Sequence, residues 1–163
     1  MVTPHKQQMI LRSLYFNRFL FVRYTTAFLF FSTLVWCCAM FLSQATFLFV
    51  PLLILSLLGI ASFEQVKMYY KHNTAAPLTS RIFQFLLVGY SLLMLICLTP
   101  YEKQLFPFVQ NHQSRILEGY FGVVIILTLL VLKKLNTIRA NKDTHYQRIM
   151  AYEQQLNLEG NSL

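Results

Sequence analysis

Between Tyr24 and Phe63 the chain has no Lys, Arg, Asp, Glu or His. Forty consecutive residues without a formal charge exclude a water-soluble fold for that stretch. One bilayer crossing takes about 20 apolar residues, so the run is long enough for two. Charge is scarce throughout, at 12% of residues against about 25% in typical soluble domains. Carboxylates are scarcest, six in all, and they form no acidic cluster for a divalent metal. The three cysteines, Cys37, Cys38 and Cys97, make no C-x-x-C and stand at no zinc spacing. That excludes a dithiol redox site and a zinc ribbon. The four histidines, His5, His72, His112 and His145, lie outside the apolar runs, where they cannot ligate a haem within the bilayer. With five glycines there is no Gly-rich phosphate loop. No Ser/His/Asp order suggests a nucleophile. The expectation is no catalytic residue, no metal and no cofactor.

What is present is apolar: 56% hydrophobic residues, 15 of them Phe. Four spans can be read, at about 24–42, 47–63, 82–98 and 116–132. The expected fold class is all-α, an integral membrane four-helix bundle made of two helical hairpins. Ser43-Gln44-Ala45-Thr46 is read as the turn of the first hairpin. Pro51 falls in the first turn of the second span, where a missing N–H costs little. Pro77 is assigned to the loop before the third span, and Pro100 ends that span. The fourth span is short, because Lys133 and Lys134 follow an uncharged stretch from Gly119 to Leu132. That stretch covers about 21 Å of a hydrocarbon core about 30 Å thick. The lysines must therefore snorkel or the segment must tilt. Residues 1–23 read as a basic interfacial segment. Residues 133–163 read as a tail with a faint heptad from Leu135 to Leu156. Ser43-Gln44-Ala45 fits a small-x-small cleavage pattern, but the basic segment before the first span is long and its apolar stretch exceeds the usual length of about 7 to 15 residues, so the span is expected to remain uncleaved.

Basic residues set the expected orientation. Arg12, Arg18 and Arg23 precede the first span, Lys67, Lys71 and Arg81 flank the second loop, and Lys133, Lys134 and Arg139 open the tail. Only Lys103 and Arg115 fall on the other side. The positive-inside rule then places both termini in the cytoplasm, N-in and C-in. A net charge of +8 would suggest nucleic acid as partner in a soluble protein. Beside membrane spans it points instead to anionic headgroups or an acidic protein surface. Candidate contacts for lipid or partner are Arg12, Arg18, Arg23, Lys67, Lys71, Lys133 and Lys134.

Transport usually leaves an ionisable residue in the middle of a span, and these spans have none. Glu64 and Glu118 stand at span ends, three residues from Lys67 and Arg115 respectively, and read as boundary residues paired with helical neighbours. The outer loop from Thr99 to Glu118 has two readings. In one it is a recognition patch built from Glu102, Lys103, His112, Arg115 and Glu118. In the other, which the sequence favours, its aromatic residues form an interfacial belt.

The run Phe16-Asn17-Arg18-Phe19-Leu20-Phe21-Val22-Arg23-Tyr24, followed by Ala27-Phe28-Leu29-Phe30-Phe31 and Trp36, resembles the opening of a group of small four-span proteins of low-GC Gram-positive bacteria. Members are sometimes labelled as the IIA subunit of a cellobiose phosphotransferase system. The resemblance implies a bacterial cytoplasmic membrane protein and brings no active site with it. A genuine IIA subunit of that class is soluble and carries phosphate on a histidine, which this chain does not place in such a setting. Taken together, the expectation is a non-enzymatic accessory or interaction protein, packed against a larger membrane partner or a second copy. The alternatives are a small transporter or transporter subunit, or an immunity-type membrane protein.

Overall fold

The computed structural model describes residues 19–71, 77–99, 105–107, 114–140 and 150. Four helices account for nearly all of them: α1 Leu20–Leu42, α2 Phe49–Lys71, α3 Pro77–Cys97 and α4 Ser114–Arg139. No strand occurs among the described residues. All four helices are long and apolar enough to cross a membrane, and the protein is an integral, multi-pass membrane protein with an all-α bundle.

The helix ends follow local chemistry. α1 closes in a left-handed cap. Gln44 has φ 49°, its N–H donates to Phe41 O, and the Ala45 N–H donates to Met40 O, both at 3.1 Å. These two bonds are the paired closure of a Schellman motif. The hairpin turn therefore extends through Leu48, two residues beyond the expected Ser43–Thr46 linker. Pro51 lies in the first turn of α2, where the N–H would have no helical acceptor. Pro77 is a correction to the sequence reading: it is the first residue of α3, not a loop residue. Proline suits that position because its fixed φ is already helical. The fourth helix also runs further than its uncharged stretch. It continues through Lys133 and Lys134 to Arg139, 26 residues in all, or about 39 Å at the helical rise. That is ample for the hydrocarbon core.

Each helix turns inward a seam with strict three-four spacing. On α2 it is Pro51, Ile54, Leu58, Ala61 and Gln65; on α3 it is Thr79, Phe83, Leu86, Tyr90, Leu93 and Cys97; on α4 it is Phe121, Val124, Thr128, Val131, Leu135 and Ile138, and all are buried. On α1, Val22, Thr26, Leu29, Thr33 and Met40 are buried, and the half-buried Trp36 holds the same register. A 3.5-residue repeat on every helix is the signature of left-handed, knobs-into-holes packing. The largest interfaces are α3 with α4 and α1 with α2, followed by α2 with α3 and α1 with α4. The helices thus close a ring in up-down-up-down order. α1 begins and α4 ends at the same end, here the basal end; the 43–48 turn, the end of α3 and the start of α4 lie at the apical end.

Five hydroxyls inside the spans are satisfied within their own helices. Thr26, Thr33, Ser62, Ser91 and Thr128 each donate to the carbonyl four residues earlier, at 2.7–2.9 Å. This removes the cost of an unmet donor in hydrocarbon.

Candidate functional site

Two constellations stand out, one at each end of the bundle. The basal one is polar and centres on two consecutive residues of α2. Gln65 turns toward α1: its Nε2 donates to Thr26 Oγ1 at 2.9 Å, and its backbone carbonyl accepts from Arg23 Nη2 at 3.0 Å. Glu64, about 100° away around the helix, turns toward α3. Its Oε1 accepts the Leu78 N–H at 3.2 Å, and its Oε2 accepts the Thr79 hydroxyl at 2.5 Å together with the Thr79 N–H. A carboxylate on two N–H groups of a helix's first turn is a capping contact, favoured by the helix dipole as well as by hydrogen bonding. Here the cap comes from a neighbouring helix. Glu64 is therefore not the partner of Lys67 that sequence spacing suggested. It fastens α2 to α3, as Gln65 fastens α2 to α1.

The same end gathers the basic residues. Arg23 is half-buried one turn into α1, Lys67 is exposed near the end of α2, and Lys71 is the last residue of that helix. On α4 Lys133 is exposed and Lys134 half-buried, while Arg81 on α3 and Arg139 at the end of α4 are exposed. Arg12 and Arg18 lie outside the described residues. Glu64 is the one carboxylate among the described residues at this end, and α3 occupies it.

The apical constellation is aromatic. Trp36 stacks on Phe106 with ring centroids 5.0 Å apart and planes 20° from parallel. Phe121 meets both edge-on, at 6.3 Å from Trp36 and 5.7 Å from Phe106. Tyr90 lies 6.4 Å from Phe121, and Tyr120 adjoins it at 5.4 Å. The Tyr120 hydroxyl is hydrogen-bonded to Ser32 of α1. Phe106 is 2% exposed and Leu105 is buried with it. The connection between α3 and α4 thus drops two apolar side chains into the bundle. The belt reading of the outer loop fails for these residues: Phe106 is core.

The proposed recognition patch divides. Arg115 and Glu118 belong to the first turns of α4, exposed and half-buried respectively. Glu102, Lys103 and His112 lie outside the described residues. A groove of about 410 Å³ opens under the hairpin turn, lined by Met40, Phe41, Leu42, Gln44, Ala45 and Leu48; it shares no residue with either constellation. Among the described residues no three His, Cys, Asp or Glu side chains converge as metal ligands would.

Sequence reasoning missed Gln65 and Thr79. The available signal was amphipathic polarity in reverse: in a membrane bundle the uncharged polar residues on the three-four seam mark the inside. No protein-family model, curated protein or solved structure matches this chain.

Proposed function

We propose that this protein is a non-enzymatic accessory protein of the bacterial cytoplasmic membrane. It packs beside a larger membrane protein and holds its basal rim against anionic headgroups, with both termini in the cytoplasm. The observation that carries this reading is the occupation of Glu64 by the first turn of α3. With Glu64 drawn to α3, Lys67, Arg81, Lys133, Lys134 and Arg139 have no other carboxylate beside them among the described residues of the basal end. Each cation near an anionic membrane surface adds about 1 kcal/mol of attraction, so the rim gains most by meeting phosphate or an acidic protein surface. The positive-inside rule supports the cytoplasmic placement of that rim. The bacterial setting rests on the resemblance of the segment from Phe16 to Trp36. The interhelical clamps support a passive role, since they tie three of the four helices together at the basal end.

The test is neutralisation. Lys67→Gln, Lys133→Gln and Lys134→Gln together keep Arg23, Arg81 and Arg139 to hold the orientation. The triple variant should insert normally but lose co-purifying membrane protein in a mild-detergent pull-down. Undiminished recovery would sink the proposal.

A further inference from the structure

Two consecutive residues of α1 send hydroxyls to two different helices. Ser32 is hydrogen-bonded to the Tyr120 hydroxyl of α4, and Thr33 faces the Tyr90 hydroxyl of α3. Four hydroxyls from three helices therefore gather around one turn of α1. Ten residues separate Thr33 from Arg23 at the basal end, about 15 Å at the helical rise. That is half the thickness of a hydrocarbon core, so the cluster lies near the middle of the membrane, out of reach of bulk water and headgroups. Each of the four hydroxyls carries one proton to give. Thr33 gives its own to Leu29 O at 2.7 Å, and the Ser32–Tyr120 bond uses one of that pair's two. Two protons are left over, one on the Ser32–Tyr120 pair and one on Tyr90. Tyr90 is 2% exposed, and its hydroxyl reaches hydrogen-bond geometry with no group among the described residues, Thr33 included. Buried hydroxyls in hydrocarbon almost always find an acceptor, because the cost of leaving them unmet is high.

We infer that the Ser32–Thr33 turn of α1 is the binding site of an internal water that bridges α1, α3 and α4. The chemistry selects the ligand. The two lone pairs of a water receive the two leftover protons, one from Tyr90 and one from the Ser32–Tyr120 pair. One of its own protons goes to the Thr33 oxygen, which donates to Leu29 and has lone pairs to spare. Three partners is the usual number for a buried water. An anionic ligand would find no cation at this depth of the spans, and an unpaired charge there is far costlier than a neutral guest. The site needs neither a headgroup nor a partner protein, so it goes beyond the reading of the basal rim and does not depend on it.

The experiment uses the full-length chain, purified and reconstituted into liposomes, with carbon-13 in its tyrosine and phenylalanine rings. Water-edited solid-state NMR measures how fast each ring receives magnetisation from water. The Tyr90 signal is the one lost in Tyr90→Phe, and the Phe121 signal is the one lost in Phe121→Leu. At short mixing times Tyr90 should receive magnetisation at least threefold faster than Phe121, its neighbour in the ring cluster. Equal rates would overturn the inference. Stability supplies the second measurement, because Tyr90 and Ser32 share no direct bond and only a bridge can couple them. Tyr90→Phe should raise the unfolding constant in SDS at least threefold in the parent and leave it unchanged in the Ser32→Ala background, with helical content by circular dichroism retained throughout. A Tyr90→Phe chain more stable than the parent would mark Tyr90 as an orphan donor. Equal losses in the two backgrounds would mark a direct bond to Thr33. Either result would overturn the inference.

Discussion

The Glu64 carboxylate holds the first turn of α3 through Thr79, accepting both that residue's backbone N–H and its hydroxyl. Fifteen residues and a loop separate them in sequence. The contact does the work of an N-cap, but the acceptor sits on the preceding helix, so helix initiation and helix docking are one event. Replacing Glu64 with Ala strips three donors of their acceptor. A lost cap costs about 0.5–2 kcal/mol, and a buried hydroxyl left unmet adds to it. Glu64→Ala should therefore lower stability by about 2 kcal/mol, and Glu64→Gln by less, because an amide oxygen still accepts. Reversible SDS unfolding of the reconstituted protein, followed by helicity, measures both. Equal losses for the two variants would assign the effect to charge rather than to capping.

Gln65 and Thr26 offer a cleaner test of interhelical polarity. Their side chains meet at 2.9 Å while the Thr26 hydroxyl keeps its own bond to Val22 O. Side-chain hydrogen bonds between membrane helices average about 0.6 kcal/mol by double-mutant cycles and reach about 1.7. This pair is buried at both ends, with Gln65 4% and Thr26 1% exposed, and it should fall in the upper half of that range. The cycle of Thr26→Val, Gln65→Leu and the double variant measures the coupling. A coupling near zero would mean that the two groups find other partners when separated.

The hydrophobic runs made the four helices legible, because an uncharged stretch of that length has no soluble alternative. Which side of each helix faces inward was harder to read, for a physical reason. Lipid tails and protein core are equally apolar, so Phe85 on the outside and Phe83 on the inside look alike to any hydropathy measure. Only the polar residues break the symmetry, and Thr26, Thr33, Gln65, Thr79 and Thr128 all face inward. The expected spans were bounded by charge, and the helices run beyond them: α2 continues past Glu64 and Lys67, and α3 begins at Pro77. A helix stops where its backbone bonds stop, not where the lipid does. The destination of Glu64 was illegible, since spacing along one helix pointed to Lys67 and nothing local pointed across the loop. Phe106 was hidden for a related reason: the composition of a loop does not tell which of its residues turn back into the bundle.

Trp36 is the chain's single tryptophan, so the apical cluster has a built-in reporter. Its indole is stacked on Phe106, and its Nε1 is buried with no hydrogen-bond partner. Trp36→Phe gives up part of the ring area in the stack and removes an unmet donor, two effects of opposite sign. It should stay within about 1 kcal/mol of the parent. Phe106→Ala opens a space beside the indole and loses an aromatic pair, for about 3 kcal/mol or more in a packed core. Its fluorescence should change as well: acrylamide should quench Trp36 more strongly in the Phe106→Ala variant than in the parent. An unchanged quenching constant would place Phe106 away from the indole in solution.

Gln44 is the one described non-glycine residue with a positive φ, and this left-handed backbone costs an L-residue about 1–2 kcal/mol. The conformation is required, because the Schellman closure of α1 through the Gln44 and Ala45 N–H groups fails without it. Glycine adopts it without a Cβ clash, at the cost of more chain entropy in the unfolded state. The Gln44 side chain is exposed, so its removal gives up little packing. Gln44→Gly should therefore stabilise the protein by about 0.5–1 kcal/mol, and Gln44→Val should destabilise it by at least as much, since a β-branched residue tolerates this region worst. Both are read from the SDS midpoint of the reconstituted protein. If valine were tolerated as well as glycine, the turn would be free to relax out of the left-handed region, and the cap would not be what ends α1.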